Sequence, residues 1–349
     1  MGHKTNRAFR NFLALLVVTI STTFSTAGWS QINDPRDLPG NVLWLDGADV
    51  DGDFVNGGAF INGATWVDKS TAQNADATQN SAMARPTVVV SDFNNLTVVE
   101  FDGDDFMDVS NSAFGMLRNV EGATMIGVLS TNVTSSNTAL RALMVSSGEN
   151  SAATRAGINL YDGFQQSSAG TGDFGLAGRR LDSDGFQRIE GGNIVAGELV
   201  APMVGLFDYQ AGDLTLLING QVETFYDSFQ TPGLTSDTDS LNIRVGADAA
   251  LNNLRGFFEG QIAELIVYDR ILSASELDLI NSYVAQKWTE EAKPILGDVN
   301  CDGSVNLLDV APFVEAVSTG IFSVKSDINE DGFVNLLDVQ PFVDLLAGG

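Results

Sequence analysis

The chain has 349 residues, of which 44% are hydrophobic and 18% are charged, and its formal net charge is −27. This length accommodates one large domain and one small one, and the composition is that of a globular protein. A nucleic-acid partner is excluded because phosphates require a basic face. The excess of carboxylates suits an extracellular setting in which divalent cations offset the charge.

The N-terminus has the pattern of a secretory signal peptide, which we predict over residues 1–27. Three basic residues precede an apolar run over 12–20, and small residues follow it. Cleavage after Ala27 and cleavage after Ser30 both fit this pattern. The run is too short for a comfortable membrane span. We therefore expect a secreted protein without a membrane-spanning segment.

Residues 32–293 are predicted to form a mostly β domain. The clearest hairpin is centred on Asn219-Gly220, because this pair favours positive φ at both turn positions and lies between two alternating apolar runs. Further strands are predicted at 87–90, 96–101, 124–129, 199–207, 241–245 and 260–268. Many short strands with frequent turns indicate a sandwich of two antiparallel sheets.

One helix is predicted near the end of this domain. Ser273 and Glu276 form a capping box at its start. Apolar residues then recur at helical spacing, at Leu277, Ile280, Val284 and Trp288. We expect the apolar face to pack on the edge of the sandwich and to close the domain. A short polar linker follows, in which Pro294 ends the helix.

Two acidic clusters in this domain are candidate sites. Glu100 and Asp102 imitate the first half of the carboxylate motif of jelly-roll glucanases, but the final Glu is absent and Gly103 interrupts the strand. A turn at Asp102-Gly103 with Phe101 in the core is therefore favoured. The second cluster fits either a calcium ion at a loop rim or a solvated turn, and consists of Asp46, Asp49, Asp51 and Asp53. The turn is favoured because the carboxylate expected at the twelfth position of a calcium loop is absent.

No catalytic residue is predicted. The only histidine, His3, lies in the predicted signal peptide. The mature chain would therefore lack a Ser-His-Asp or Cys-His arrangement and a histidine-based zinc site.

Four segments of residues 32–293 resemble the laminin-G-like domain of bacterial secreted proteins. They are VLWLD from Val42, ATWVDKS from Ala64, VEFDG from Val99, and GQIAELIVYDRILS from Gly260, which leads into the capped helix. The resemblance implies the concanavalin A-like jelly-roll fold. Members of that family mostly recognise glycans or proteins, so an extracellular polysaccharide or glycoprotein is the expected partner. The fold alone does not fix a function.

The C-terminal residues contain one twelve-residue loop twice, at an offset of 29 residues. Calcium needs six to eight oxygen ligands, which such loops supply from positions 1, 3, 5, 7 (a backbone carbonyl), 9 and 12. In the first loop these positions are Asp298, Asn300, Asp302, Ser304, Asn306 and Asp309, and in the second they are Asp327, Asn329, Asp331, Phe333, Asn335 and Asp338. Glycine occupies position 6 in both loops. The repetition predicts two bound calcium ions rather than two polar turns.

Position 12 is Asp rather than the Glu of an ordinary EF-hand loop. With the tandem spacing, this makes residues 296–346 resemble the type I dockerin of secreted bacterial polysaccharide-degrading systems. The resemblance implies a small α-helical, EF-hand-like module, placed at 296–349, that binds calcium and docks onto a cohesin domain. The family usually has a polar pair at positions 10 and 11, where this chain has Leu307-Leu308 and Leu336-Leu337. These pairs either select a different partner or pack one repeat against the other.

Three further residues of this module constrain its behaviour. Pro312 and Pro341 lie early in the helices that follow the loops, and because proline is tolerated only in the first turn, each helix must start late or bend. Cys301 is the only cysteine, so an intramolecular disulfide is excluded; it either bridges to another molecule or fills space. The module has nine carboxylates and one lysine, so we expect it to be loose or unfolded without metal.

Together these features predict an exported, non-catalytic binding or adhesion protein with two modules. The sandwich would recognise a glycan or protein, and the calcium-dependent tail would attach it through a cohesin-like partner. The alternative is a glycoside hydrolase tethered through its dockerin, since that chemistry needs only two carboxylates. A third interpretation is a purely structural protein whose tail pairs with another copy.

Overall fold

The computed structural model describes residues 32–91, 94–132, 140–148, 154–162, 172–249, 255–289, 296–297, 299, 305–319, 325–329 and 333–348. The predicted signal peptide, the linker after the capped helix and Cys301 lie outside the described residues. So do the predicted ligands Asp298, Asn300, Asp302, Ser304 and Asp331.

The described strands, in chain order, are β1 (Asn41–Asp46), β2 (Thr65–Trp66), β3 (Ala77–Thr78), β4 (Thr87–Val90), β5 (Thr97–Asp102), β6 (Met107–Val109), β7 (Gly122–Thr131), β8 (Leu140–Ser146), β9 (Thr154–Asp162), β10 (Gly172–Gly178), β11 (Gln187–Gly191), β12 (Val200–Asp208), β13 (Asp213–Ile218), β14 (Gln221–Tyr226), β15 (Ile243–Val245) and β16 (Glu259–Tyr268). Each strand predicted from the sequence is present, with ends displaced by at most two residues.

These strands form two antiparallel sheets of eight strands each. The first has the order β14-β13-β12-β7-β16-β5-β4, with β1 also paired to β16, and the second has the order β11-β10-β9-β8-β15-β6-β3-β2. Neighbours distant in sequence, such as β7 beside both β12 and β16, show that the chain crosses between the sheets repeatedly. The prediction of a mostly β, jelly-roll-like sandwich is confirmed.

The main core lies between the two sheets because apolar residues alternate along the strands. In β9, Ile158 and Leu160 are buried against residues of the first sheet such as Phe207 and Leu265. Side chains between them in sequence, such as Asn159, face the opposite side of the second sheet.

A second apolar layer covers the outer face of the first sheet. Helix α1 (Ala274–Val284) has the predicted capping box and continues as a π-helical turn, Ala285–Thr289. Its buried residues Ile280, Val284 and Trp288 pack against outward-facing residues of central strands, including Ile126 and Ile266. The expected position on the sandwich edge is therefore wrong: β7 and β16 are central strands, so the helix lies over the face of the sheet.

In the described part of the C-terminal module there are two helices, α2 (Val310–Thr319) and α3 (Val339–Gly348). A 3-10 turn precedes each helix, at Leu307–Asp309 and Leu336–Asp338. Pro312 and Pro341 are each the third helical residue, which lies in the first turn, where the missing N–H has no intrahelical partner. The prolines therefore fit helices that begin directly after the loops.

Candidate calcium and ligand-binding sites

In the second predicted calcium loop, the carboxylate at position 12, Asp338, forms hydrogen bonds with backbone groups earlier in the loop. Asp338 is fully buried, and its two oxygens accept hydrogen bonds from two backbone N–H groups, Asn329 at 3.2 Å and Asn335 at 2.8 Å. Asp327, at the start of the loop, is also buried, whereas Asn329 and Phe333 are exposed. The arrangement brings positions 3, 9 and 12 of the loop close together.

The first loop ends in the same local geometry. Asp309 is fully buried and accepts the backbone N–H of Asn306 at 2.8 Å. The side-chain oxygen of Asn306 accepts the N–H of Leu308, as that of Asn335 accepts the N–H of Leu337. Each Asn–Asp pair is therefore also the capping box of the helix that follows.

These residues fit a calcium ion by their chemistry. The predicted donors are carboxylates, amide oxygens and a carbonyl, which is the ligand set that Ca²⁺ prefers. Asp309, Asp327 and Asp338 are buried although ionised carboxylates rarely are unless they are paired or bind metal. The cap engages the oxygens of Asn306 and Asn335, which suits position 9, where ligation often runs through water.

The leucine pairs at positions 10 and 11 do not form a core. Exposed fractions are 80% for Leu307, 69% for Leu308, 80% for Leu336 and 66% for Leu337. The interpretation that they pack one repeat against the other is therefore wrong. Among the described residues of the module, the core consists instead of Phe313, Ile328 and Phe342 with partly buried residues around them.

In the sandwich, the acidic cluster near β1 is held by lysine. Lys69 Nζ lies 2.8 Å from an oxygen of Asp46 and 2.5 Å from one of Asp49, and all three residues are buried. Carboxylate oxygens of Asp49, Asp51 and Asp53 also lie within 4.8 Å of one another. The favoured solvated turn is thus wrong for Asp46 and Asp49, which form a buried ion-paired network.

This network continues beneath α1 to Glu264, whose carboxylate is fully buried. It accepts hydrogen bonds from the indole N–H groups of Trp44 and Trp288, at 2.5 and 2.6 Å, and from the hydroxyl of Tyr283, at 2.7 Å. Lys287 Nζ lies 2.7 Å from Asp46 and 3.4 Å from Glu264. Burial raises the pKa of Glu264, against the lowering effect of Lys287. The arrangement fixes the helix on the sheet.

The Glu100–Asp105 region follows the favoured interpretation. Phe101 is buried in the main core, β5 ends at Asp102, and Gly103 has φ +98°. Asp105 is buried with its carboxylate accepting the N–H of Asp102 at 3.2 Å, and burial raises the pKa of Asp105 to about 6. Gly103 therefore turns the chain where a glucanase strand would continue.

A polar row on the outer face of the second sheet was not predicted from the sequence. The row runs across four neighbouring strands. In register, Arg141 of β8 lies opposite Asn159 of β9, Asn159 lies opposite Gly175 of β10, and Gly175 lies opposite Glu190 of β11. Directly opposite residues share a face, and this is the face opposite the core. Arg141 Nη1 donates to Asn159 Oδ1 at 2.8 Å. Asn159 and Gly175 are buried, whereas Arg141 and Glu190 are half-buried.

Carboxylates at one end of this row have perturbed acidity. Burial raises the pKa of Glu190, and nearby Asp173 raises it further, against the lowering effect of Arg188. Arg188 Nε lies 3.3 Å from Glu190 Oε1. Burial also raises the pKa of Asp173 at the start of β10. The alternation of polar and apolar residues over 155–160 was the signal that could have revealed this face.

Several solved structures are similar to the chain at low identity. A sialidase CBM40 from Ruminococcus gnavus, bound to α2,3-sialyllactose, is 16% identical, covers 53% of this chain and 95% of its own, and gives a TM-score of 0.42. A Trypanosoma rangeli sialidase in complex with 2,3-difluoro-KDN is 13% identical, with coverages of 72% and 33% and a TM-score of 0.46. Domain 4 of AbnA, a GH43 extracellular arabinanase from Geobacillus stearothermophilus, in complex with arabinotriose, is 13% identical, with coverages of 69% and 98% and a TM-score of 0.45.

No curated protein matches the chain. Among the helices that the structure describes, none is long and apolar enough to cross a membrane. The family model of the dockerin type I domain matches residues 296–341. The prediction of a type I dockerin at the C-terminus is thereby confirmed for this segment.

Proposed function

We propose that this chain is a secreted, non-catalytic binding protein built from two modules. Residues 32–293 form a laminin-G-like sandwich that recognises an extracellular glycan. Residues 296–349 form the dockerin, which attaches the sandwich to a cohesin-like partner at the cell surface or in the extracellular space. The observation that carries this proposal is the dockerin type I match together with the buried carboxylates of both loops.

The attachment module takes up calcium. Dockerin type I domains bind calcium, and we assign two ions, one to each loop, held by the twelve predicted ligand positions. Asp309 and Asp338 are the key groups, because each is buried and also begins the next helix. Metal binding and formation of these helix ends are thus coupled through the same side chains.

The sandwich binds sugar through the outer face of its second sheet. Sugar hydroxyls both donate and accept hydrogen bonds, and the half-buried side chains of Arg141 and Glu190 supply donors and acceptors in one row, with the fully buried Asn159 positioning Arg141. This supports a glycan rather than an apolar ligand.

Glycan-array binding of the full chain tests this assignment. We expect a defined set of glycans to bind, and Arg141→Ala and Asn159→Ala each to weaken binding by about tenfold, the equivalent of ~1.4 kcal/mol. Arg118→Ala is the matched control, because its side chain is half exposed and pairs with Asp239 rather than with a residue of the row. Unchanged binding in both row variants would refute the assigned face.

A glycoside hydrolase is the second candidate, because Asp173 and Glu190 are two carboxylates with raised pKa on one face. A carboxyl with a raised pKa is suited to act as a general acid. Release of reducing sugar from a polysaccharide panel, abolished by Glu190→Gln but not by Glu100→Gln, would support hydrolysis. The absence of release across the panel supports the binding function.

A further inference from the structure

The dockerin module carries an apolar surface that its own fold does not cover. Leu307, Leu308, Leu336 and Leu337 are between 66% and 80% exposed. A single exposed leucine is ordinary, but two pairs in one small module form patches of the kind that mark contact sites. Type I dockerins usually have polar residues at these two positions of each loop. In this chain apolar surface therefore takes the place of the side chains that could form hydrogen bonds there.

An apolar groove of about 610 Å³ lies between α2 and α3. Of the four exposed leucines, Leu336 lines it, together with Val310, Val314 and Val343. The rings of Phe313 and Phe342 also line it, stacked with centroids 4.0 Å apart. Val314 and Val343 are 58% and 48% exposed, so the groove opens to the surface.

Charge identifies the kind of partner that fits this surface. Exposed carboxylates follow the two exposed valines directly, Glu315 after Val314 on α2 and Asp344 after Val343 on α3. The module has nine carboxylates and one lysine, an excess that two calcium ions would not neutralise. A second copy of this chain, with a net charge of −27, and an anionic lipid surface are both repelled.

We propose that the two leucine pairs and the α2–α3 groove, which we term the leucine face, bind a partner protein whose contact surface is apolar and flanked by Lys or Arg. Apolar burial supplies the affinity, and the flanking carboxylates supply orientation and rate. This inference rests on the proposed attachment function and specifies the chemistry of the partner. It requires that the partner lacks polar groups at the contact, because the leucines could not satisfy their hydrogen bonds.

The test uses two amphipathic helical peptides with the same leucines, one carrying Lys and the other Glu at all polar positions. Fluorescence anisotropy with the full chain in calcium should show binding of the Leu/Lys peptide, weakened by salt, and at least ~tenfold weaker binding of the Leu/Glu peptide. The variant L307S/L308T/L336S/L337T should bind the Leu/Lys peptide at least ~tenfold more weakly. The matched control V222S/F225S removes two exposed apolar residues of β14 in the sandwich and should bind as the native chain does.

Calcium titration of the same proteins separates the two possible failures. A quadruple-leucine variant that takes up calcium normally and still binds the Leu/Lys peptide undiminished would overturn the leucine face while leaving attachment intact. A native chain that takes up no calcium would instead overturn the attachment function. Calcium-dependent dimers in sedimentation, absent from the variant, would assign the face to a second copy and overturn the basic partner.

Discussion

The sandwich and the C-terminal module differ in how much apolar core stabilises each of them. The sandwich buries a continuous core between its sheets and a second apolar layer under α1, and it tolerates buried charges because lysines neutralise them. Among the described residues of the module, the core has three buried apolar side chains, Phe313, Ile328 and Phe342. Domains of this size usually need a metal, a disulfide or a partner to fold. The comparison shows why the stability of a module with a small core can depend on calcium and on a docking partner.

Chelation should produce the largest difference between the two regions. Removal of calcium with EGTA takes away the positive charge that the metal supplies to the buried carboxylates of the module, so we expect residues 296–349 to unfold while the sandwich remains folded. Differential scanning calorimetry should show one transition lost and one retained. Hydrogen exchange should lose protection in α2 and α3 alone. A single transition that chelator leaves unchanged would contradict the comparison.

Removal of the buried acceptor in the sandwich should give the next largest effect. Glu264→Ala leaves two buried indole N–H groups and the Tyr283 hydroxyl without their acceptor, while Lys287 keeps Asp46, so the free energy of unfolding of the sandwich should fall by about 3–5 kcal/mol. Urea denaturation measures this change. Glu259→Ala, at the exposed start of the same strand, is the control and should cost much less. Equal losses would show that the network contributes nothing specific.

The start of α1 should show a pH-dependent effect of smaller size. Hydrogen bonding from Arg270 lowers the pKa of Glu276 to about 2, below its ordinary value of 4.5. The carboxylate therefore stabilises the fold fully above pH 4.5, and this contribution is lost as the pH falls towards 2. Glu276→Ala should cost about 1–2 kcal/mol at pH 7 and almost nothing near pH 2. A cost that does not vary with pH, or one that the exposed neighbour variant Asp278→Ala reproduces, would refute this role.

Asp105 should show the smallest effect, with the opposite sign. Burial raises the pKa of Asp105 to about 6, above its ordinary value of 3.8, so ionisation above pH 6 destabilises the folded sandwich. Asp105→Asn should therefore raise the free energy of unfolding by about 0.5–1 kcal/mol at pH 8. Below pH 4 the two proteins should be equally stable, which provides the internal control for chemical denaturation. A destabilised variant at pH 8 would contradict this assignment.

The sequence predicted those elements whose side chains carry a strong local signal. The hairpin at Asn219-Gly220 and the capping box of Ser273 and Glu276 depend on neighbouring residues, and both are present. The duplicated loops predicted the dockerin because their ligand positions have a fixed spacing within twelve residues. Domain boundaries and individual calcium ligands remain predictions.

The elements that were missed depend on partners distant in the chain. Strands β8 to β11 were not predicted, because Gly157 and Gly175 and several buried polar residues weaken their apolar pattern. Only pairing across these strands brings Arg141, Asn159 and Glu190 into one row. Likewise, the position of α1 over the sheet depends on apolar residues on the outer face of central strands, which local periodicity does not distinguish from core residues.

Titration calorimetry of the metal-free full chain with Ca²⁺ tests the central claim most directly. We predict uptake of two ions per chain, with Asp309→Ala and Asp338→Ala each removing one ion and the double variant removing both. Asp344→Ala, an exposed carboxylate outside both loops, should leave uptake unchanged. A native chain that takes up no calcium, or a double variant that takes up as much as the native chain, would contradict the account.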